Sequence, residues 1–107
     1  ISSSEKFNFI YGEFDYYMSV SNFIVSLVKS NELEYSKQII DKIEDLLIRR
    51  VSVFSNLDED EQIFYIEGIT SDINNYSRII NSIELFNSEL YDNYKKNLNE
   101  ILKNIVE

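Results

Sequence analysis

Residues 31–54 of the chain, NELEYSKQIIDKIEDLLIRRVSVF, carry its clearest helical pattern. Its apolar side chains recur every three or four residues, which is the spacing of an amphipathic helix with one face toward a core. They are Tyr35, Ile39, Ile40, Ile43, Leu46, Leu47, Val51 and Phe54. Asn31 and Glu34 predict a capping pair at the start of this helix, and Asp45 with Arg49 predicts an ion pair on its wet face.

The rest of the chain predicts three more helices. The first covers about residues 4–29, the third begins at Asp58 or just before it, and the last begins at Asn87 or Ser88. A chain of 107 residues with no proline and two glycines has little to interrupt such segments. We therefore predict an all-α fold in which residues 1–107 form a single-domain antiparallel bundle of about four helices.

The third helix has a core stripe that stays in phase on both sides of Gly68. The stripe consists of Ile66, Ile69, Ile73, Tyr76, Ile80 and Ile83. Unbroken phase favours one helix, whereas Thr70, Ser71 and Asp72 could cap a second one. The prediction is therefore a single helix with a kink or split allowed near Gly68.

The first helix is apolar on nearly all sides. Besides its main stripe it carries a second one, formed by Phe9, Tyr16, Val20, Phe23 and Leu27. Such a helix is either buried between neighbours or covered on its second face by a partner. We favour burial as a central helix and keep a homodimer through this face as the alternative.

The composition removes most catalytic and metal-binding chemistry. The chain has no histidine and no cysteine, so the commonest general base and the thiolate nucleophile are missing. A calcium loop starting at Asp58 would need glycine and glutamate where the sequence has Ile63 and Ile69. No glycine-rich phosphate loop is present in the sequence. We expect no enzyme activity, no cofactor and no bound metal.

Hydropathy and charge also limit the setting and the partners. No segment is apolar over the roughly 20 residues that a membrane span needs, and the signal-peptide pattern is missing. A cytoplasmic bacterial or phage protein, without a membrane partner, is expected. Direct binding of nucleic acid is disfavoured because the ten Lys and Arg residues are scattered.

Negative charge is concentrated in one part of the chain. Residues 58–92 contain nine acids and one base, Arg78, which gives eight of the nine net negative charges of the protein. Acids in a first helical turn complement the helix dipole without any ligand. Four consecutive acids, from Asp58 to Glu61, nevertheless exceed what capping needs. Capping and binding of a basic partner both remain open as explanations.

A possible binding face lies opposite the core stripe of the third helix. Asp60, Phe64, Glu67, Ser71 and Asn75 follow each other at helical spacing, with a large aromatic between two acids. Exposed aromatics ringed by polar residues are typical of interface hot spots. The alternative is that Phe64 packs onto a neighbouring helix or the preceding loop. The candidate partner-binding residues are Asp58, Glu59, Asp60, Glu61, Phe64, Tyr65, Glu67 and Asp72, and Ile48 is a weaker candidate.

A small, acidic, all-helical chain without cysteine or histidine resembles the immunity proteins of contact-dependent inhibition and colicin-type toxin systems. The resemblance is one of class and covers size, charge and helicity. The colicin-DNase immunity family has a Tyr-Tyr pair near an acid and before a proline. Here Asp15, Tyr16 and Tyr17 precede Met18, so no residues are carried over. The resemblance implies tight one-to-one binding to a toxin with a basic surface, in the first instance a nuclease.

Two other functions fit the same sequence. The first is a phage-encoded inhibitor of host defence, such as an anti-CRISPR or anti-restriction protein that partly imitates nucleic acid. The second is a structural helical module that dimerises through the first helix. The three hypotheses differ in the adjacent gene and in the oligomeric state.

Overall fold

The computed structural model describes residues 14–106 of the chain, and side chains from residue 18 to residue 105. It contains four helices, α1 (Phe14–Lys29), α2 (Leu33–Ser55), α3 (Glu59–Ser82) and α4 (Ser88–Val106), and no strand in these residues. The predicted all-α bundle of four helices is confirmed. Residues 4–13 of the predicted first helix lie outside the described residues, as does the side chain of Tyr16. None of the helices in the described part of the chain is long and apolar enough to cross a membrane.

The two central helices are α2 and α3, each of which packs against all the others. By contrast, α1 packs mainly on α2 and α3 alone, so the prediction that it is the central helix is wrong. Phe23, in its second apolar stripe, is 47% exposed and makes an edge-to-face contact with Tyr35 of α2 at 6.0 Å. The other described members of this stripe, Val20 and Leu27, are half-buried.

The core is rich in isoleucine and runs the length of the bundle. It includes Ile24 and Val28 of α1, Ile40, Leu47 and Val51 of α2, Ile69, Tyr76 and Ile80 of α3, and Leu90 and Leu98 of α4. The predicted stripe of α3 is confirmed at most positions, but Ile66 is 45% exposed. Ile79 and Asn75 are buried instead, because the buried side of α3 is rotated toward them relative to the predicted stripe.

The turn between α1 and α2 is made differently from the prediction. Asn31 adopts a left-handed conformation with φ of 62°, which asparagine tolerates better than most residues. The Glu32 N–H donates to the Leu27 carbonyl (2.8 Å) and the Asn31 N–H to the Val28 carbonyl (3.0 Å). These bonds form the Schellman motif that ends α1. Asn31 therefore closes one helix and does not cap the next, whose N-cap is Glu32 without a side-chain cap bond.

The starts of α3 and α4 follow the sequence more closely. The Glu61 N–H donates to Asp58 Oδ1 at 2.9 Å, and the Leu90 N–H donates to Asn87 Oδ1 at 3.0 Å. Both are side-chain caps of the usual kind. The helix that starts at Asp58 passes through the buried Gly68 without a break.

A polar network ties α2 to α3 and α4 beside the core. Tyr76 Oη donates to Glu44 Oε2 at 2.6 Å, and Tyr94 Oη donates to Asp41 Oδ1 at 2.6 Å. The amide of Asn97 also donates to Glu44, at 3.2 Å. Burial, followed by these bonds to carboxylates, raises the pKa of both tyrosines, so both hydroxyls stay protonated and keep donating. The pairing of residues 41 with 94 and 44 with 97 shows that α2 and α4 run in the same direction.

We expect Tyr76→Phe to lower the free energy of unfolding by about 1.5–3 kcal/mol, the usual worth of a hydrogen bond to a charged group. Tyr76 is 1% exposed and its hydroxyl donates to Glu44 beside the core, so phenylalanine in its place keeps the packing of the ring and removes only this bond. Urea unfolding monitored by circular dichroism measures the change. Tyr35→Phe is the matched control, because Tyr35 is 50% exposed and its hydroxyl can bond to water. Equal stability of the two variants would contradict the role given to the Tyr76 bond.

Candidate functional site

The first turns of α3 form an exposed surface that carries both acidic and large apolar side chains. We call it the acidic face, and its members are Glu59, Asp60, Glu61, Ile63, Phe64, Ile66 and Glu67, all of which are exposed. Three of the acids lie in the first turn, where they complement the helix dipole. Asp58 also contributes to the helix start, because its side chain caps the Glu61 N–H. Helix capping therefore explains why an acid stands at Asp58. The helix dipole explains only part of the negative charge on the other acids of this surface.

Phe64 is the most unusual member of the acidic face. Its side chain is 76% exposed, and its neighbour Ile63 is 71% exposed. The alternative that Phe64 packs onto a neighbouring helix or loop is wrong. In the described part of the chain its ring contact is with the adjacent Tyr65, edge to face at 4.8 Å. Tyr65 is itself partly buried against the core, so it holds one side of the Phe64 ring in place.

The charges of the acidic face are not offset by bases on the same half of α3. No Lys or Arg occurs between residues 51 and 77. Three ion pairs on the surface of the described bundle lie on α2 and α4. They join Glu34 to Lys37 (3.8 Å), Asp45 to Arg49 (2.8 Å) and Glu100 to Lys103 (3.4 Å). The second of these is the ion pair that the sequence predicts. The acidic face thus combines negative charge with exposed apolar area.

Asp72 does not belong to this surface, so its prediction as a partner-binding residue is wrong. It is 1% exposed and lies inside the bundle, where the positive charge of the buried Arg50 of α2 acts on it. Neither carboxylate oxygen has a hydrogen-bond partner among the described residues. Burial raises the pKa of Asp72 to about 7, although Arg50 lowers it. Asp72 is therefore a buried titratable group and not a contact residue.

The other predicted positions divide between surface and interior. Asp60, Phe64 and Glu67 share the exposed side of α3, whereas Ser71 is half-buried and Asn75 is buried. Ile48 is 46% exposed on α2, apart from the acidic face. It borders a separate groove of about 360 Å³ with Ser52, Asn56 and Asn104.

Ile63 and Ile66 are exposed, which was not predicted from the sequence. A usable signal was present, because residues 62–66, QIFYI, place four large apolar side chains in succession. Four successive residues point to all sides of an α-helix, so a helix with one buried face must leave some of them exposed. This run therefore predicts an apolar surface beside the four acids.

The acidic side chains of the described residues are not arranged for metal binding, since no three of them converge on one point. The arrangement offers carboxylates and apolar side chains to another molecule and places no nucleophile beside an activating base in the acidic face. Comparison of the chain with protein-family models, with curated proteins and with solved structures gave no match. The function must therefore be argued from the surface itself.

Proposed function

We propose that this protein is a cytoplasmic immunity or antitoxin protein, which binds a basic toxin through the acidic face and blocks it. The observation that carries the proposal is the 76% exposure of Phe64 between Asp60 and Glu67, on a half-helix without bases. Large aromatics at the centre of a patch supply much of the binding energy of interfaces. Surrounding charges of one sign select partners of the opposite sign and speed their encounter.

A nuclease is the toxin class with the most suitable surface. A nuclease must hold phosphates with lysine and arginine, so its substrate cleft is basic. Glu59, Asp60, Glu61 and Glu67 offer carboxylates that can stand in for those phosphates. Phe64 and Ile63 then add apolar contact that a nucleic-acid backbone does not supply. Inhibition would be stoichiometric, since binding alone covers the cleft.

The experiment uses the toxin encoded by the gene next to that of this protein, with association rates measured at low salt. We expect Asp60→Lys combined with Glu67→Lys to lower the association rate constant by roughly tenfold or more, because steering is reversed over the contact surface. The matched control is Glu89→Lys with Asp92→Lys on α4. This pair changes the net charge equally, from two exposed acids near the other end of the bundle. It should leave most of the rate intact.

Two results would overturn the proposal. One is equal rates for both double variants, which would show that only total charge matters. The other is an adjacent gene whose product is neither toxic nor bound. A prophage operon with binding to a host defence nuclease would favour the inhibitor hypothesis instead. A dimer in light scattering that is lost on substitution of Phe23 would favour the structural module.

A further inference from the structure

Part of the acidic face forms a groove on the side of α3 that faces α4, because Glu59, Ile63 and Ile66 belong to both. The groove has a volume of about 370 Å³, within the roughly 300–1,000 Å³ of ordinary ligand pockets. It is lined by Phe54, Glu59, Gln62, Ile63, Ile66 and Ile105. Phe54 is buried and Ile105 half-buried, so they belong to the bundle's own packing. Ile63 and Ile66 are exposed and leave apolar area open to water.

The polar groups of the groove offer hydrogen-bond acceptors to an incoming molecule. Gln62 Nε2 donates to the Phe54 carbonyl at 3.0 Å, which fixes the orientation of the amide. The side-chain group that Gln62 can then present to a ligand is chiefly its acceptor, Oε1. Glu59 adds an exposed carboxylate, which also only accepts when ionised. A matching occupant carries donors and positive charge beside an apolar group.

We propose that the groove takes a basic segment of the toxin, which inserts a large apolar side chain between Ile63, Ile66 and Ile105. A neighbouring lysine or arginine of that segment then binds Glu59 and Gln62 Oε1. The inference rests on the proposed function, whose partner it describes in more detail. Charge complementarity selects this occupant over a second copy of the chain, because two acidic faces would repel each other. Burial of the exposed isoleucines supplies the attraction.

The test uses synthetic peptides, so that it does not depend on the toxin. The probe is an amphipathic helix of about 15 residues with leucine on one face and lysine elsewhere, a length at which isolated helices become stable. One comparison peptide replaces leucine by alanine and keeps the charge. Another replaces lysine by glutamate and keeps the leucines. Binding is followed by ¹⁵N chemical shifts of the protein.

We expect the lysine–leucine peptide to shift the amides of Ile63, Ile66 and Ile105 and to bind about tenfold tighter than either comparison peptide. Ile66→Ser in the protein should weaken binding of this peptide about tenfold. Met18→Ser is the matched control, since Met18 is 47% exposed and Ile66 45% exposed, and Met18 lies on α1, outside the groove. It should leave the affinity unchanged.

The inference is overturned if the lysine–alanine peptide binds as well as the lysine–leucine peptide, or if Ile66→Ser has no effect. Either result would mean that charge alone attracts the peptide. This failure is separate from that of the proposed function. Suppose that the toxin associates more slowly with the double variant Asp60→Lys, Glu67→Lys and yet binds Ile66→Ser normally. That result would exclude the groove as a contact and keep the immunity role. If the peptide binds in the groove but the protein binds no toxin, the immunity role is removed and the groove remains a binding site.

Discussion

The free energy of unfolding is expected to fall by on the order of 4 kcal/mol, through Asp72 alone, as the pH rises from 3.8 to above about 7. These limits are the ordinary pKa of the carboxyl and its raised value in the folded protein. Between them the folded protein holds a proton that the unfolded chain has released. Rising pH therefore favours unfolding across this window. The contribution of protonated Asp72 to the free energy of unfolding is fully present only below the window.

Asp72→Asn isolates this effect because the amide has nearly the same shape and does not titrate. The buried Arg50 stays charged across the window. Any effect of the substitution on Arg50 therefore changes the free energy of unfolding by the same amount at every pH in the window. We expect the stability of the natural protein minus that of the variant to decline between about pH 4 and pH 8. Urea unfolding at a series of pH values measures both curves.

The control for this series is Asp92→Asn, which removes one carboxylate from an exposed site on α4. It measures how the removal of a surface charge alone affects the same curve. If the Asp72→Asn curve runs parallel to that of the natural protein, the folded protein holds no extra proton on Asp72 within the window. The assignment of a raised pKa to this buried carboxyl would then be wrong.

Phe64→Ala is expected to weaken toxin binding by about 30-fold or more, which corresponds to roughly 2 kcal/mol or a strong hot spot. The side chain is 76% exposed in the free protein, so its removal opens no cavity in the core. The free energy of unfolding should change by no more than about 0.5 kcal/mol. The loss should appear mainly in the dissociation rate, as is usual for changes in interface contacts.

Leu85→Ala is the matched control for Phe64→Ala. Leu85 is 92% exposed, but it lies in the connection between α3 and α4, beyond the other end of α3. Its loss should leave toxin binding unchanged. Equal effects of the two variants would show that general surface hydrophobicity, and not the position of Phe64, determines the affinity.

Much of the helical architecture was predictable because its causes are local. The three-and-four spacing from Tyr35 to Phe54 gives α2, and the cap by Asp58 gives the start of α3. The same three-and-four spacing correctly predicted that α3 continues through Gly68 without a break. The error at Asn31 has a local cause too, since asparagine serves equally as a helix N-cap and as the left-handed residue of a C-terminal turn.

The binding surface was only partly predictable. The sequence placed Phe64 between Asp60 and Glu67 on the side away from the core, and the structure confirms that side as exposed. It also assigned Asp72 to the contact surface, which is wrong. A helical period shows that one side of α3 is buried, but not how far that side extends around the helix. The extent depends on where the neighbouring helices lie.

Periodicity, caps and charge are properties of neighbouring residues, so they were enough to predict the all-α class, the beginnings of α3 and α4 and the excess of acids around the start of α3. Packing between the helices places α2 and α3 at the centre, encloses Asp72 with Arg50, and determines which residues of the apolar run at 63–66 face water. These outcomes depend on contacts between residues far apart in the chain, which no local pattern records. Phe64 depends on both the local pattern and the packing. The helical period sets its position on α3, and it is exposed because no helix of the described bundle covers it.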